Sequence, residues 1–238
     1  MGGATWINVP PKFRLTNIEE KSGINRRSSM EEKSKGVSLN YLSGYYDKIT
    51  PGERSRFRRK QIRLVNLRKG EKVLDVGCGT GALTIQSKLV VGEAGTAEGI
   101  DIAPKMVAEA QRKANTGDLK IGFRIASIDE LPYPDECFDV VISSMMFHHL
   151  PIEIKKRGLE EVYRVLKKGG RFFLCDFCSP HYLTIPIMYL MFIWMSSTRY
   201  QLFGKLPKLI EESNFKTMKL LSKGFFLEYY LITKLQDV

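Results

Sequence analysis

The chain has 238 residues, 37 Lys and Arg against 26 Asp and Glu, and a formal net charge of +11. That length supports one domain with a sizeable core, and 43% hydrophobic residues is ordinary globular composition, which excludes a low-complexity chain. Four irregularly spaced cysteines argue against a secreted disulfide framework, and with no apolar h-region at the N-terminus the expectation is a cytoplasmic protein. The charge is uneven: residues 1–70 hold 16 Lys and Arg against 6 Asp and Glu, whereas 71–238 hold 21 against 20. A basic first third on a neutral body is either solvated surface or a face that meets anionic lipid at the inner side of a membrane, or another polyanion.

Residues 1–38 are polar and aperiodic, and a flexible basic extension is expected there, with the domain proper over 39–238. Pro51 to Asn66 reads as a helix with proline at an early position. Arg54, Arg56, Arg58, Arg59, Lys60 and Arg63 crowd it, and Phe57, Ile62, Leu64 and Val65 form a ragged apolar face. A basic helix of this kind can lie on a membrane surface. Val73 to Val76 is a short apolar run of the sort that forms a buried parallel strand. It breaks into Gly77, Gly79 and Gly81 around Thr80, and an apolar-periodic helix opens over Ala82 to Val91.

Strand, glycine turn and helix make a nucleotide-binding crevice at the carboxyl edge of an α/β sheet. The spacing is G-x-G-x-G, not the G-x-G-x-x-G of dinucleotide binders, and Asp75 stands just before it. The free N–H groups at the helix start favour a carboxylate. The second strand, Thr96 to Asp101, ends in an acid at the distance where an acceptor for a ribose diol belongs, and Ile102 offers an apolar face to an adenine.

Pro104 to Asn115 reads as a helix, Ile121 to Ala126 as a third strand and Phe138 to Ser143 as a fourth. Glu153 to Leu166 reads as a helix closed by Lys167-Lys-Gly-Gly170, and Arg171 to Phe177 as a fifth strand. Phe215 to Leu221 and Phe225 to Thr233 read as the last two strands. Between the fifth strand and these two, Tyr182 to Met195 is almost free of polar residues, too short for a transmembrane helix and broken by Pro186. It is either a buried helix on the sheet or an apolar lid lining a greasy pocket or dipping into a bilayer.

With these residues in place, the chain resembles the class I S-adenosylmethionine (SAM) methyltransferases, and among them the ubiquinone/menaquinone C-methyltransferase type, over roughly Leu39 to Lys234. The resemblance implies a Rossmann-like, doubly wound, seven-stranded α/β sheet with its last strand antiparallel and helices on both faces. It implies N-terminal lid helices over 39–66 and an apolar helical insertion near the substrate over 180–212. SAM is the implied cofactor, with Asp75, Gly77, Gly79, Thr80, Gly81, Asp101, Ile102, Ser127, Ile128 and Ser144 around it. Ser127 stands where the family has an Asp or Asn for the adenine amino group. Tyr45, Tyr46 and Asp47 match the lid segment, and Tyr46 is a candidate to close over the methyl group.

The family's quinone branch carries Leu-Arg-Asn where this chain has Phe147, His148 and His149. His148 and His149 are the candidate bases, and Asp176 is a further one. The expected acceptor is a quinol or aminolipid at a membrane surface, reached through residues 54–63 and 182–195. The alternatives are a soluble small metabolite and a non-catalytic SAM-binding scaffold. No base-methylating Asn/Asp-Pro-Pro-Tyr/Phe run is present, so no nucleic-acid partner is expected. No metal is expected either: Cys175 and Cys178 lack the second cysteine pair that structural zinc would use.

Overall fold

Alternation of short buried strands with amphipathic helices winds the chain back and forth across one sheet. The computed structural model describes residues 51–177, 205–224 and 227–236. The extension, the lid residues Tyr45, Tyr46 and Asp47, and the apolar run 182–195 lie outside them, as do Cys178 and His181. Among the described residues no helix is long and apolar enough to cross a membrane.

Helix α1 (Pro51–Val65) leads into β1 (Lys72–Val76), α2 (Ala82–Val91), β2 (Thr96–Asp101), α3 (Pro104–Thr116) and β3 (Gly122–Ile125). Strand β4 (Phe138–Ser144) is followed by a 3-10 turn (Phe147–His149), α4 (Ile152–Val165) and β5 (Leu166–Phe177). Helix α5 (Lys205–Glu211) precedes β6 (Thr217–Lys223) and β7 (Leu227–Thr233). The seven strands lie in the order β3-β2-β1-β4-β5-β7-β6. Strands β1 to β5 pair in parallel, and β7 runs antiparallel between β5 and β6. The strand order reverses between β1 and β4, and that reversal opens a crevice at their carboxyl ends.

The period of two along each strand divides the core between the two faces. On one face Leu74, Val76, Ile100, Val141, Phe172 and Leu174 pack with α4 residues Leu159 and Val162 and α5 residues Leu209 and Ile210. On the other, Val73, Val140, Ile142 and Phe173 pack with Val65 of α1 and Leu83 of α2.

The bounds of α2 and β2 agree with the sequence reading, and those of the other elements shift by a few residues. One local reading is corrected. Lys167-Lys-Gly-Gly170 does not close α4. Leu166 is already extended (ψ 135), its N–H bonding Val162 O, and it pairs with Phe138 of β4. Gly169 takes φ +76 to exchange backbone hydrogen bonds with the end of β7: Gly169 N–H donates to Lys234 O and Lys234 N–H to Gly170 O. Lys234, nearly buried, donates to Leu166 O at 2.8 Å.

Helix α1 ends at Asn66, which is left-handed (φ +53). Arg171 of β5 donates to the carbonyls of Val65 and Asn66 and pairs bidentately with Glu71 at 2.8 and 2.9 Å. These bonds satisfy helix-end carbonyls that would otherwise be unpaired and tie α1 to the middle of the sheet.

Candidate active site

The glycine turn at the end of β1 is left-handed at all three glycines, with φ +75, +54 and +75 at Gly77, Gly79 and Gly81. A Cβ on Gly77 would lie 2.4 Å from Met146 Cγ, and one on Gly81 would lie 2.8 Å from both Ala110 and Phe123. Gly79, at the apex, would meet nothing within 4 Å. The turn is thus wedged between the segment after β4 on one side and α3 with β3 on the other. Its apex stays open. The N–H groups of Gly77 and Cys78 both donate to Ile100 O, which seats the turn over β2. Thr80 is buried in the same turn.

Helix α2 starts from this turn with no side-chain cap and no acid in its first turn. Its positive end is therefore available to a carboxylate. Asp101, at the end of β2, accepts Gly79 N–H on one oxygen and Ala103 N–H on the other, both at 2.9 Å. Each oxygen keeps lone-pair capacity for a further donor. Burial raises the Asp101 pKa against these hydrogen bonds. Asp75 is buried behind the turn, and Thr84 Oγ1 donates to it at 2.6 Å. Burial pushes Asp75 up to about 7, with the Asp101 charge adding to the effect and the Thr84 bond opposing it. Ile102 is partly exposed beside Asp101. Two acids, an open glycine apex and an uncapped helix start suit SAM, whose ribose diol, carboxylate and ammonium need such partners.

Ser127 donates to Asp129, which also pairs with Arg157 at 3.0 Å. The serine and the acid two residues on thus form one polar group at the end of β3. Ile128 is buried in the core, its side chain close enough that a Cβ on Gly158 would sit 3.0 Å from it. Ser144, at the end of β4, accepts a 2.6 Å bond from Gln61 of α1. Gln61 is 1% exposed, and no sequence motif marks it.

The strongest cluster follows β4. Met145 is left-handed (φ +56), a conformation costly for a residue with a Cβ. Its N–H is held by Cys175 O at 2.8 Å. The chain then turns Phe147 into the core and brings His148 against Asp176 of β5. His148 Nδ1 lies 2.8 Å from Asp176 Oδ1, and His148 N–H donates to Oδ2 at 3.1 Å. Both side chains are buried.

The His149 ring centroid lies 3.8 Å from that of His148, with the two rings tilted by 45°. His149 Nδ1 is buried with no hydrogen-bond partner among the described residues. Burial lowers its pKa to about 4, and His148 beside it acts in the same direction. Lys155 of α4 is fully buried, and burial lowers its pKa to about 8, opposed by the Asp176 charge. Sequence reading named His148, His149 and Asp176 separately. Their union, and Lys155, come from the packing of α4 and β5. Tyr46 lies outside the described residues.

A family described as a methyltransferase domain matches residues 73–170. The Hydrogenovibrio crunogenus protein named ubiquinone/menaquinone biosynthesis C-methyltransferase UbiE is 31% identical over 191 residues, covering 77% of this chain and 72% of that protein. The protein of the same name from Psychromonas ingrahamii is 30% identical over 165 residues, 68% of this chain and 61% of its own. The chain thus spans about three-fifths of the length of the first curated relatives it matches. A SAM-dependent methyltransferase from Aquifex aeolicus has the same fold at 20% identity, with a TM-score of 0.61, covering 88% of this chain and 98% of that one.

Proposed function

The chain belongs to the class I SAM-dependent methyltransferases, and on that premise we propose that it moves a methyl group from SAM to a lipophilic acceptor at a membrane surface. A quinol is the first choice of acceptor and an aminolipid headgroup the second. The relatives named for quinone C-methylation support the quinol. The observation that carries the proposal is the His148–Asp176 pair beside the glycine turn.

SAM, when bound, supplies a methyl group already activated by its sulfonium. The protein's part is to orient, desolvate and move protons. Asp101 would take the ribose hydroxyls on its remaining lone pairs, and the start of α2 the carboxylate. Asp75 would face the ammonium, and Ile102, Ile128 and Ser127 would meet the adenine. Ser144 would stand near the sulfonium, held by Gln61.

Asp176 accepting at Nδ1 keeps the His148 proton on that nitrogen, which leaves the Nε2 lone pair for the acceptor. Nε2 would take the proton of a ring hydroxyl, which makes the adjacent ring carbon electron-rich toward the methyl group, and would return that proton to the oxygen as the methylated carbon gives up its own proton to water. His149, neutral at pH 7, offers its unpaired ring nitrogen to a second polar group of the acceptor.

Exposed Arg56, Arg59 and Arg63 recur at i, i+3 and i+7 on α1 and would face anionic lipid. The uncharged run 182–195 would accompany them at the surface.

The test is transfer of labelled methyl from SAM to a reduced naphthoquinone carrying a prenyl tail, presented in anionic vesicles. Vesicle-dependent transfer is expected. Equal transfer to a tail-less quinol in buffer would favour a soluble metabolite. Micromolar SAM binding with no transfer to either would leave the scaffold, and no SAM binding would end the proposal.

A further inference from the structure

Helix α4 buries Ile154, Gly158, Leu159, Val162 and Val165 along one stripe, and Lys155 is buried in the same stripe, one turn before Leu159. The lysine is 0% exposed. A lysine at a core position is tolerated only where its charge is compensated.

Elsewhere among the described residues, each buried acid or lysine has its own partners. Lys88 donates to Gly92 O and Gly95 O, Lys234 donates to Leu166 O and Glu136, and Asp75 accepts a bond from Thr84. Lys155 and Asp176 remain, with opposite sign, on the packed elements α4 and β5. Asp176 accepts Phe177 N–H at 2.7 Å and His148 N–H at 3.1 Å, and it faces His148 Nδ1 at 2.8 Å. These bonds favour the carboxylate but bring no countercharge.

The neighbouring groups bring none either. Glu228 stands opposite Asp176 on β7, and Lys223 meets its charge at 2.8 Å. Burial keeps His149 neutral at pH 7. Burial lowers Lys155 to about 8 against the Asp176 charge, so the lysine still carries its proton at pH 7. With Asp176 negative and Lys155 positive, the enclosed group is neutral when the His148 ring is neutral. Without the lysine charge, neutrality calls for a proton on the His148–Asp176 pair. The imidazole is the more basic member, so that proton goes to Nε2 and its lone pair is lost.

On the reading above, in which His148 takes the acceptor's proton, we propose that Lys155 is a positioning residue for methyl transfer. Its buried ammonium is the countercharge that keeps Asp176 ionised and His148 a neutral imidazole with Nε2 open. The lysine touches neither SAM nor acceptor and acts only through the pair.

Lys155→Met keeps the length of the side chain and removes its charge. The protonation of His148 is read at pH 7 from the ring nitrogen-15 shifts of the full chain, with neither SAM nor acceptor added. Nε2 is expected to be unprotonated in the wild type and protonated in Lys155→Met. In the methyl-transfer assay, Lys155→Met should lower kcat about tenfold at pH 7 and recover toward the wild-type rate by about pH 9, as Nε2 gives up its proton. The SAM dissociation constant should not change. Melting temperature separates charge compensation from packing. Lys155→Met and Asp176→Asn each leave one buried charge alone and should melt below the wild type, whereas the double variant carries neither charge and should melt above both. The same Nε2 state in the wild type and Lys155→Met, a rate that stays low at high pH, or a double variant that melts no higher than the single ones would each overturn the proposal. The shifts and melting temperatures need no acceptor, so a chain that transfers no methyl group would sink the functional reading while these two measurements still decide the role of Lys155.

Discussion

The two nitrogens of the His148 ring are not equivalent: Asp176 claims Nδ1, and Nε2 is the one proposed to take the acceptor's proton. His148→Ala is expected to lower kcat by about 10²–10⁴, the range of one general base, with the SAM dissociation constant unchanged. Asp176→Asn should lower kcat by a smaller factor and shift the pH profile. Loss of SAM binding in either variant would assign the pair to cofactor binding or to folding. Asp75 carries a separate prediction. Its ordinary value is 3.8, and burial raises it to about 7 in the folded chain. Between those values the folded state holds a proton that the unfolded state has released. The stabilisation is fully present below about pH 4 and is lost as pH rises through about 7. The amount is on the order of 4 kcal/mol. Urea denaturation at pH 5 and pH 8 should show about 3 kcal/mol of that loss in the wild type, and Asp75→Asn should abolish it. Equal slopes would mean that Asp75 is ionised throughout.

At the scale of elements, the turn after β1 shows what a local pattern can and cannot convey. G-x-G-x-G at a strand end announces a tight turn, and all three glycines are left-handed as that spacing requires. That Gly77 touches Met146, 69 positions later, is not local information. Gly77→Ala combines a left-handed alanine with a 2.4 Å clash. We expect about 1–3 kcal/mol of destabilisation and weaker SAM binding, measured by thermal melts and calorimetry. The lysine-glycine run after α4 misleads for a related reason. Basic residues before glycine commonly end a helix, but here Leu166 is drawn into pairing with β4 one residue after α4 ends. The Arg171 tie is equally non-local, reaching Val65 across 106 positions. Arg171→Ala should cost about 2–4 kcal/mol by leaving Glu71, 13% exposed, without its guanidinium. A melting temperature unchanged from wild type would show that α1 docks without it.

At the scale of the molecule, nearly all the net charge lies in the first 70 residues. The described part of that region presents Arg56, Arg59 and Arg63 to solvent on α1. The buried side of the same helix places Gln61 on Ser144, so the basic face and the proposed methyl-transfer site share one element. Pelleting with anionic vesicles should be strong at low salt and fall steeply as the Debye length shrinks from about 30 Å at 0.01 M to about 3 Å at 1 M. Replacing the three arginines by alanine should weaken binding by about 3 kcal/mol, roughly 100-fold. Pelleting indifferent to both salt and substitution would remove the electrostatic basis of the membrane proposal.

What the sequence by itself determined was the order and kind of the elements, the glycine turn and the acids at the ends of β1 and β2. Each of these is encoded over a few consecutive residues, by apolar periodicity or by the need for positive φ. The structure alone decided the pairing of His148 with Asp176, the seat of Gln61 on Ser144 and the Arg171 clasp on α1. Those partners stand 28, 83 and 106 positions apart. They meet only because strand register and helix packing bring them together, and no local propensity records which distant side chain a buried polar group will face.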